Sequence, residues 1–338
     1  VIDVPLSVLD LSPVAAGTTP GQALRQTTEL ARRTEELGYQ RFWVAEHHNM
    51  PAIASSAPAV LIAHLAAATS TIRVGSGGVM LPNHAPLVVA EQFGTLEALH
   101  PGRIDLGIGR APGTDQRTAL ALRRTMEGLS ADAFPEELAD LIGLFTGEDA
   151  QAPITAMPGR GDMPAIWLLG SSGFSAQLAG LLGLPFSFAH HFSAVNTVPA
   201  LALYRQYFRP SRWLQHPQAM VAVSAICADT DERAQWLAGP AALSFLQLRA
   251  GTPQPLASPE EAAAYPYSAF DRAFARQRSE GQAVGSPETV SRELAGLLER
   301  TGADELMLTA MVYDIEDRIH SFELIAGKVA GGLRKPGE

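Results

Sequence analysis

The sequence predicts an α/β protein built as a closed (β/α)8 barrel of the TIM type, with insertions at strand ends, and three observations carry that expectation. Apolar runs of strand length alternate with helical periodicity along the 338 residues, an order that demands parallel strands covered by helices. The strand-like runs number eight, which suits a closed barrel better than an open, doubly wound sheet. No linker or break in composition divides the chain, so residues 1–338 are expected to form a single domain.

The first strand is expected at Ile2–Leu9, an apolar run, with a helix near 20–37 behind it. Strand two is Arg41–Ala45 and strand three Ile72–Met80, followed by helices near 57–70 and 86–99. The helix over 57–70, "APAVLIAHLAAATS", is small and apolar nearly all round. A barrel's outer helix normally keeps a polar face. Something should therefore cover it, most simply a second copy of the chain in a homodimer, or else the chain's own insertion. Strand four is Arg103–Gly109, strand five Ala165–Leu169 and strand six Phe186–Ala189, with helices near 132–146, 173–183 and 196–209. Strand seven, Met220–Ala228, precedes a helix near 230–248; strand eight, Glu305–Thr309, precedes a closing helix near 315–330. The helix near 287–300 has Ser286 as N-cap, Pro287 at the first position and Gly302 past its end.

Two connections exceed ordinary length. Residues 147–164 are rich in glycine and proline, and residues 249–286 carry Tyr265, Tyr267, Phe270 and Phe274, apolar faces that want a partner. Long insertions on a barrel build the site or its lid, and 249–286 is expected to act as one.

Composition narrows the function. A net charge of −10 argues against a nucleic-acid surface and an anionic membrane surface. No long uncharged apolar stretch indicates a transmembrane helix or a signal peptide. The single cysteine, Cys227, excludes an internal disulfide framework and CxxC motifs and agrees with a cytoplasmic, reducing compartment. Lys328 and Lys335 are the only lysines, so no lysine in the body of the chain serves a phosphate loop or a Schiff base. Any phosphate must be held by arginine, hydroxyls and backbone amides.

In such a barrel the active site lies at the C-terminal ends of the strands. After strand two stand Glu46, His47 and His48; after strand three, Gly77, Gly78 and "MLPNHAP"; after strand six, His190 and His191. Adjacent residues on an extended segment point to opposite faces, so His47 and His48 cannot both meet one ion. No cluster completes a metal site. A histidine at the mouth suits proton transfer, while its neighbour packs beneath a loop. "GIGRAPG", residues 107–113, has Pro112 where a dinucleotide fingerprint needs glycine. What remains is Arg110 on a stiff loop, suited to an anion or else paired with Asp115. In "LLGSSGFSAQLA", residues 168–179, a strand turns into a helix through small residues. The backbone N–H groups there, at Ser172 and Gly173, with the Ser172 and Ser175 hydroxyls, form an anion site without lysine; plain N-capping by one serine is the alternative.

Together "RFWVAEHHN", "IRVGSGGVMLPNHAPLVVAEQFGTLEALHPGRIDLGIGRAPGTD", "WLLGSSGFSAQLAGLLGLPFSFAHHF" and "VGSPETV…TGADELML", in order and covering most of the chain, resemble the bacterial luciferase-like, FMN-dependent monooxygenase family. The resemblance implies a flavoprotein of (β/α)8 fold in which reduced FMN, delivered by a separate NAD(P)H:flavin reductase, reacts with O2. The resulting C4a-(hydro)peroxyflavin oxidises a small organic substrate. It further implies that His47 stands near the flavin ring and supports oxygen chemistry and proton transfer. By the same resemblance Arg110, Ser172 and Ser175 hold the phosphate, and Gly77 and Gly78 form a non-proline cis peptide against the ring. Gly109 stands where the light-emitting subunit has cysteine, and Gly77–Gly78 where it has two alanines, which points to the non-luminescent relatives. Two other readings stay open: an F420-dependent oxidoreductase of the same superfamily, and a flavin-binding protein without catalysis.

Overall fold

The computed structural model describes residues 2–111, 113–123, 133–148, 154–331 and 333. The strands are β1 (Leu6–Asp10), β2 (Arg41–Val44), β3 (Arg73–Met80), β4 (Ile104–Gly109), β5 (Ala165–Gly170), β6 (Phe186–Ala189), β7 (Ala219–Cys227), β8 (Ala283–Gly285) and β9 (Glu305–Thr309). The helices are α1 (Pro20–Glu36), α2 (Pro58–Ala68), α3 (Pro86–Leu99), α4 (Gln116–Arg123), α5 (Phe134–Thr146), α6 (Gly173–Leu182), α7 (Thr197–Tyr207), α8 (Asp231–Arg249), α9 (Pro259–Ala264), α10 (Ala269–Ser279), α11 (Pro287–Thr301) and α12 (Ile315–Leu324).

Strands β1 to β6 pair in sequence order, β6 pairs with β7, β7 with β9, and β9 returns to β1. Every one of these pairs is parallel, with Val8 opposite Phe42 and Leu6 opposite Leu306 at the closure. The result is the expected (β/α)8 barrel, with β8 a short addition on the upper end of β7, Ala225 opposite Ala283. The strand faces that point outward pack against the helices through one continuous apolar cluster.

The helices begin and end where local chemistry dictates. Thr19 and Gln22 close a capping box ahead of Pro20, and Ser286 caps α11, which ends at Gly302 in the left-handed region. Three expectations are corrected. The first strand starts at Leu6 rather than Ile2, because Pro5 has no N–H to donate to a ladder. A helix not foreseen, α4, begins at Gln116, its first N–H groups accepted by Asp115. The insertion contributes α9, α10 and β8 instead of covering α2, whose Val60 is 72% exposed. The closing helix is α-helical to Leu324 and continues as a π turn to Val329. Among the described residues no helix is long and apolar enough to cross a membrane.

Inside the barrel, Leu9, Trp43, Ala45, Trp167, Met220, Ala222 and Met307 form a second apolar cluster, in which the indoles meet edge to face at 5.7 Å. Below them the lumen is closed by charge. Arg41 bridges Asp105 and Glu305, each at 2.9 Å, while Trp43 Nε1 donates to Asp105 and Ser7 donates to Glu305. Burial alone would raise the Asp105 pKa, but Arg41 and Arg73 outweigh it and hold the group below its usual range. Glu305 is raised by its burial, which Arg41 only partly opposes.

Candidate active site

The C-terminal ends of the barrel strands open into a cavity of about 660 Å³ whose floor includes Leu9, Trp43 and Met307, within the size range of cofactor and substrate sites. His47, Gly77, Arg110, Ser172, Ser175 and His191 all line it. Residues of the insertion, among them Ala275, Arg278 and Gln282, line it too.

The pleat of β2 explains the "AEHH" run. Consecutive side chains leave opposite sides of an extended chain, so His47 reaches the cavity while Glu46 is buried beside the loop after β3. Glu46 is a clamp. It accepts from the Met80 N–H at 3.0 Å, from Asn83 Nδ2 at 3.1 Å, from His84 Nε2 at 3.0 Å and from His48 Nε2 at 2.9 Å. Burial raises the Glu46 pKa, yet the hydrogen bonds from His48 and His84 prevail and bring it down to about 2. His48 is thus a support, and among the described residues no group of three or more His, Cys, Asp or Glu is arranged to hold a metal ion.

His47 is fixed differently. Its N–H bonds the Ser55 carbonyl at 3.0 Å, and its ring Nδ1 lies 3.3 Å from the Gly113 carbonyl. A carbonyl only accepts, so Nδ1 carries the proton and Nε2 keeps its lone pair. Burial lowers the His47 pKa, keeping the ring neutral near pH 7.

At the ends of β4 and β5 stand the residues expected to hold an anion. The Arg110 guanidinium lies over the Phe174 ring at 4.4 Å, which seats it at the first turn of α6. Asp115, the alternative partner, is engaged by Asn49, Thr118 and the start of α4. No carboxylate among the described residues pairs with Arg110. Ser172 occupies the N-cap of α6 without making a side-chain cap, so plain capping does not account for "GSSG". Neither the Ser172 nor the Ser175 hydroxyl bonds another described residue, and the N–H groups of that turn, beginning at Gly173, have no intrahelical acceptor and suit an anion. This free cation, with the open donors beside it, fits a phosphate.

The Gly77–Gly78 peptide is cis. A Cβ at Gly78 would stand 2.7 Å from the Gly107 carbonyl oxygen, and one at Gly77 2.6 Å from Leu9 Cδ1. Gly77 therefore brings backbone without a side chain to the cavity wall, and Gly78 lets β3 pack closely against Gly107 of β4.

The wall between β6 and β7 holds groups that the sequence left without a role. His190 is packed, with Nδ1 2.7 Å from Thr197 Oγ1 and Nε2 3.1 Å from the Gly281 carbonyl. His191 donates from Nδ1 to the Ala222 carbonyl at 2.9 Å, and burial brings its pKa down to about 4. Arg278, from the last turn of α10, donates to the His191 carbonyl. The only sequence signal for this contact was the aromatic character of the insertion, since the two residues lie 87 positions apart.

Comparison with known proteins agrees with this architecture. The family model described as luciferase-like monooxygenase matches residues 4–305. A luciferase-like monooxygenase of Escherichia coli strain K12 is 47% identical over 318 residues, covering 94% of this chain and 95% of its own. The N-acetyl-S-alkylcysteine monooxygenase of Bacillus subtilis is 33% identical over 335 residues, covering 97% and 99%. The crystal structure of apo-MsnO8 superposes with a TM-score of 0.90 at 39% identity, over 98% of this chain and 100% of that one.

Proposed function

The chain belongs to the luciferase-like monooxygenase family, and from that premise we propose that it is an FMN-dependent oxygenase acting on a small organic substrate, with reduced FMN supplied by a separate reductase. The observation that carries the reading is the anion site: Arg110 unpaired by any described carboxylate, beside two unengaged serines at a helix start, on the same cavity as His47. Arg110, Ser172, Ser175 and the N–H groups from Gly173 onward would hold the FMN phosphate, and the Gly77–Gly78 backbone would face the ring. Reduced FMN, when bound there, supplies the electrons and activates O2. His47 holds or accepts a proton at Nε2, its ring kept in place by the Gly113 carbonyl. Glu46 keeps the β2 and β3 loops together, and the apolar floor of Leu9, Trp43 and Met307 excludes water.

The failed dinucleotide motif at Pro112 favours a reductase on another chain over an internal nicotinamide site. The outward faces of α2 and α3, with Val60 and Leu99 both largely exposed, favour a homodimer that buries them. The buried Cys227 thiol suits the reducing cytoplasm.

Anaerobic equilibrium dialysis with photoreduced FMN, oxidised FMN and F420 tests the reading. Reduced FMN is expected to be retained most strongly, and NADH with a flavin reductase is then expected to drive incorporation of oxygen from ¹⁸O2 into an organic acceptor. Retention of F420 alone would move the chain to hydride transfer.

A further inference from the structure

The insertion brings two arginines to the cavity, Arg276 and Arg278, and the proposed cofactor site uses neither; Arg278 is the one held against the wall by its contacts. Arg278 sits at the last turn of α10, lines the cavity and stacks its guanidinium on the Phe245 ring of α8 at 3.9 Å. One nitrogen, Nη1, donates to the His191 carbonyl. Nε is sealed from solvent and has no hydrogen-bond partner. None of the ion pairs among the described residues includes Arg278. Its surroundings are the rings of Phe245 and Phe192 and the His191 carbonyl, with Gln282 bonded to its backbone.

That arrangement is unusual within this molecule. Arg41, which is buried where Arg278 is half-buried, is met by Asp105 and Glu305. Arg318 shares with Arg278 an unpartnered Nε, but its charge is met by Asp10 at 3.1 Å and it does not line the cavity. A buried donor without a partner destabilises the fold, more so when it is charged, and calls for an explanation, of which a bound group is one. With Nη1 on the His191 carbonyl and Nε sealed off, Nη2 is the nitrogen left to donate to a carboxylate oxygen, a charge-assisted contact. The cavity it lines is mostly apolar, through residues such as Leu11, Met50, Ile53, Phe245 and Leu248.

We infer that Arg278 determines substrate specificity by taking the carboxylate of the substrate, which is a small organic acid with an apolar body. The inference rests on the oxygenase reading for its chemistry and adds the substrate class. Arg110 and Arg278 divide two anions between them: the phosphate at the β4 and β5 wall, the acid at the β6 and β7 wall under the insertion.

Octanoate and its uncharged near-isostere octanamide are the probes, titrated calorimetrically into the protein with and without FMN. The wild-type chain is expected to bind octanoate at least tenfold more tightly than octanamide. Arg278→Met is expected to abolish that preference while leaving octanamide binding and FMN affinity unchanged. Arg278→Lys, which keeps the charge but not the fork, retains part of the preference and serves if the methionine variant does not fold. Equal affinity for the two probes, no octanoate binding, or a preference that survives Arg278→Met overturns the inference. So does a loss of FMN affinity in Arg278→Met, which would assign the arginine to the cofactor phosphate. Failure of the wild-type chain to bind FMN, with octanoate preference intact in the FMN-free titration, would sink the oxygenase reading and leave the acid site standing.

Discussion

Replacing Glu46 with glutamine removes the charge that holds two strand ends together, and the structure gives the size of the effect. The carboxylate is 1% exposed and accepts from Met80, Asn83, His84 and His48. Its pKa in the fold is about 2, against 4.5 for an unperturbed glutamate. Because the folded value is the lower one, the unfolded chain takes the proton first as pH falls. The stabilisation is complete above about 4.5 and is lost as pH drops toward 2. At roughly 1.4 kcal/mol per pH unit the clamp is worth about 3 kcal/mol at pH 7. Of that, about 0.8 kcal/mol is gone by pH 4 and about 2 kcal/mol by pH 3. Glu46→Gln keeps the volume and turns one acceptor into a donor facing other donors. Urea unfolding of both proteins from pH 7 to pH 3 should show the variant about 3 kcal/mol less stable at pH 7. That gap should then narrow by the amounts given. Comparing the two proteins cancels the other carboxylates. A gap under about 0.5 kcal/mol at pH 7, or one that stays constant to pH 3, would refute the assignment of this charge as the clamp.

Three further outcomes are expected. Arg41→Met leaves Glu305 buried without its counter-ion and Asp105 with Arg73 alone, and should cost about 3–5 kcal/mol in chemical denaturation; a loss under 1 kcal/mol would contradict the network. Arg110→Ala should weaken FMN binding at least tenfold in a fluorescence titration while leaving riboflavin, which has no phosphate, unaffected. Weakening of both flavins alike would place Arg110 elsewhere. His47→Ala should fold and bind FMN as the parent does and lower coupled oxygenation by roughly 10²–10⁴-fold, measured as product formed per NADH; loss of folded protein would assign His47 to structure alone.

The barrel was legible because its repeating unit is written locally: each strand is an apolar run, and helices such as α1 and α11 carry their own caps. That Arg110 and the serines would meet at the strand ends was legible for the same reason, since "GRAP" and "GSSG" each sit just after a strand, and the fold brings Arg110 onto Phe174. What stayed hidden depends on distance along the chain. Glu46 reads as one of three polar residues in a row until Met80 and His84 fold back onto it from more than thirty positions away. The helices α4, α9 and α10 are short, and their turns begin on capping residues inside segments whose proline and glycine content reads as loop.

Arg278 is the extreme case, because its significance lies in a partner it does not have. The sequence offers 35 acidic residues as candidate counter-ions. Three-dimensional placement shows that no described acid pairs with it and that the nearest polar group is the carbonyl of His191. The same placement separates it from Arg318, whose Nε is equally without a partner but whose charge Asp10 neutralises. A cation left uncompensated on the wall of an apolar cavity favours an anionic occupant over a neutral one by whatever its desolvation has already cost.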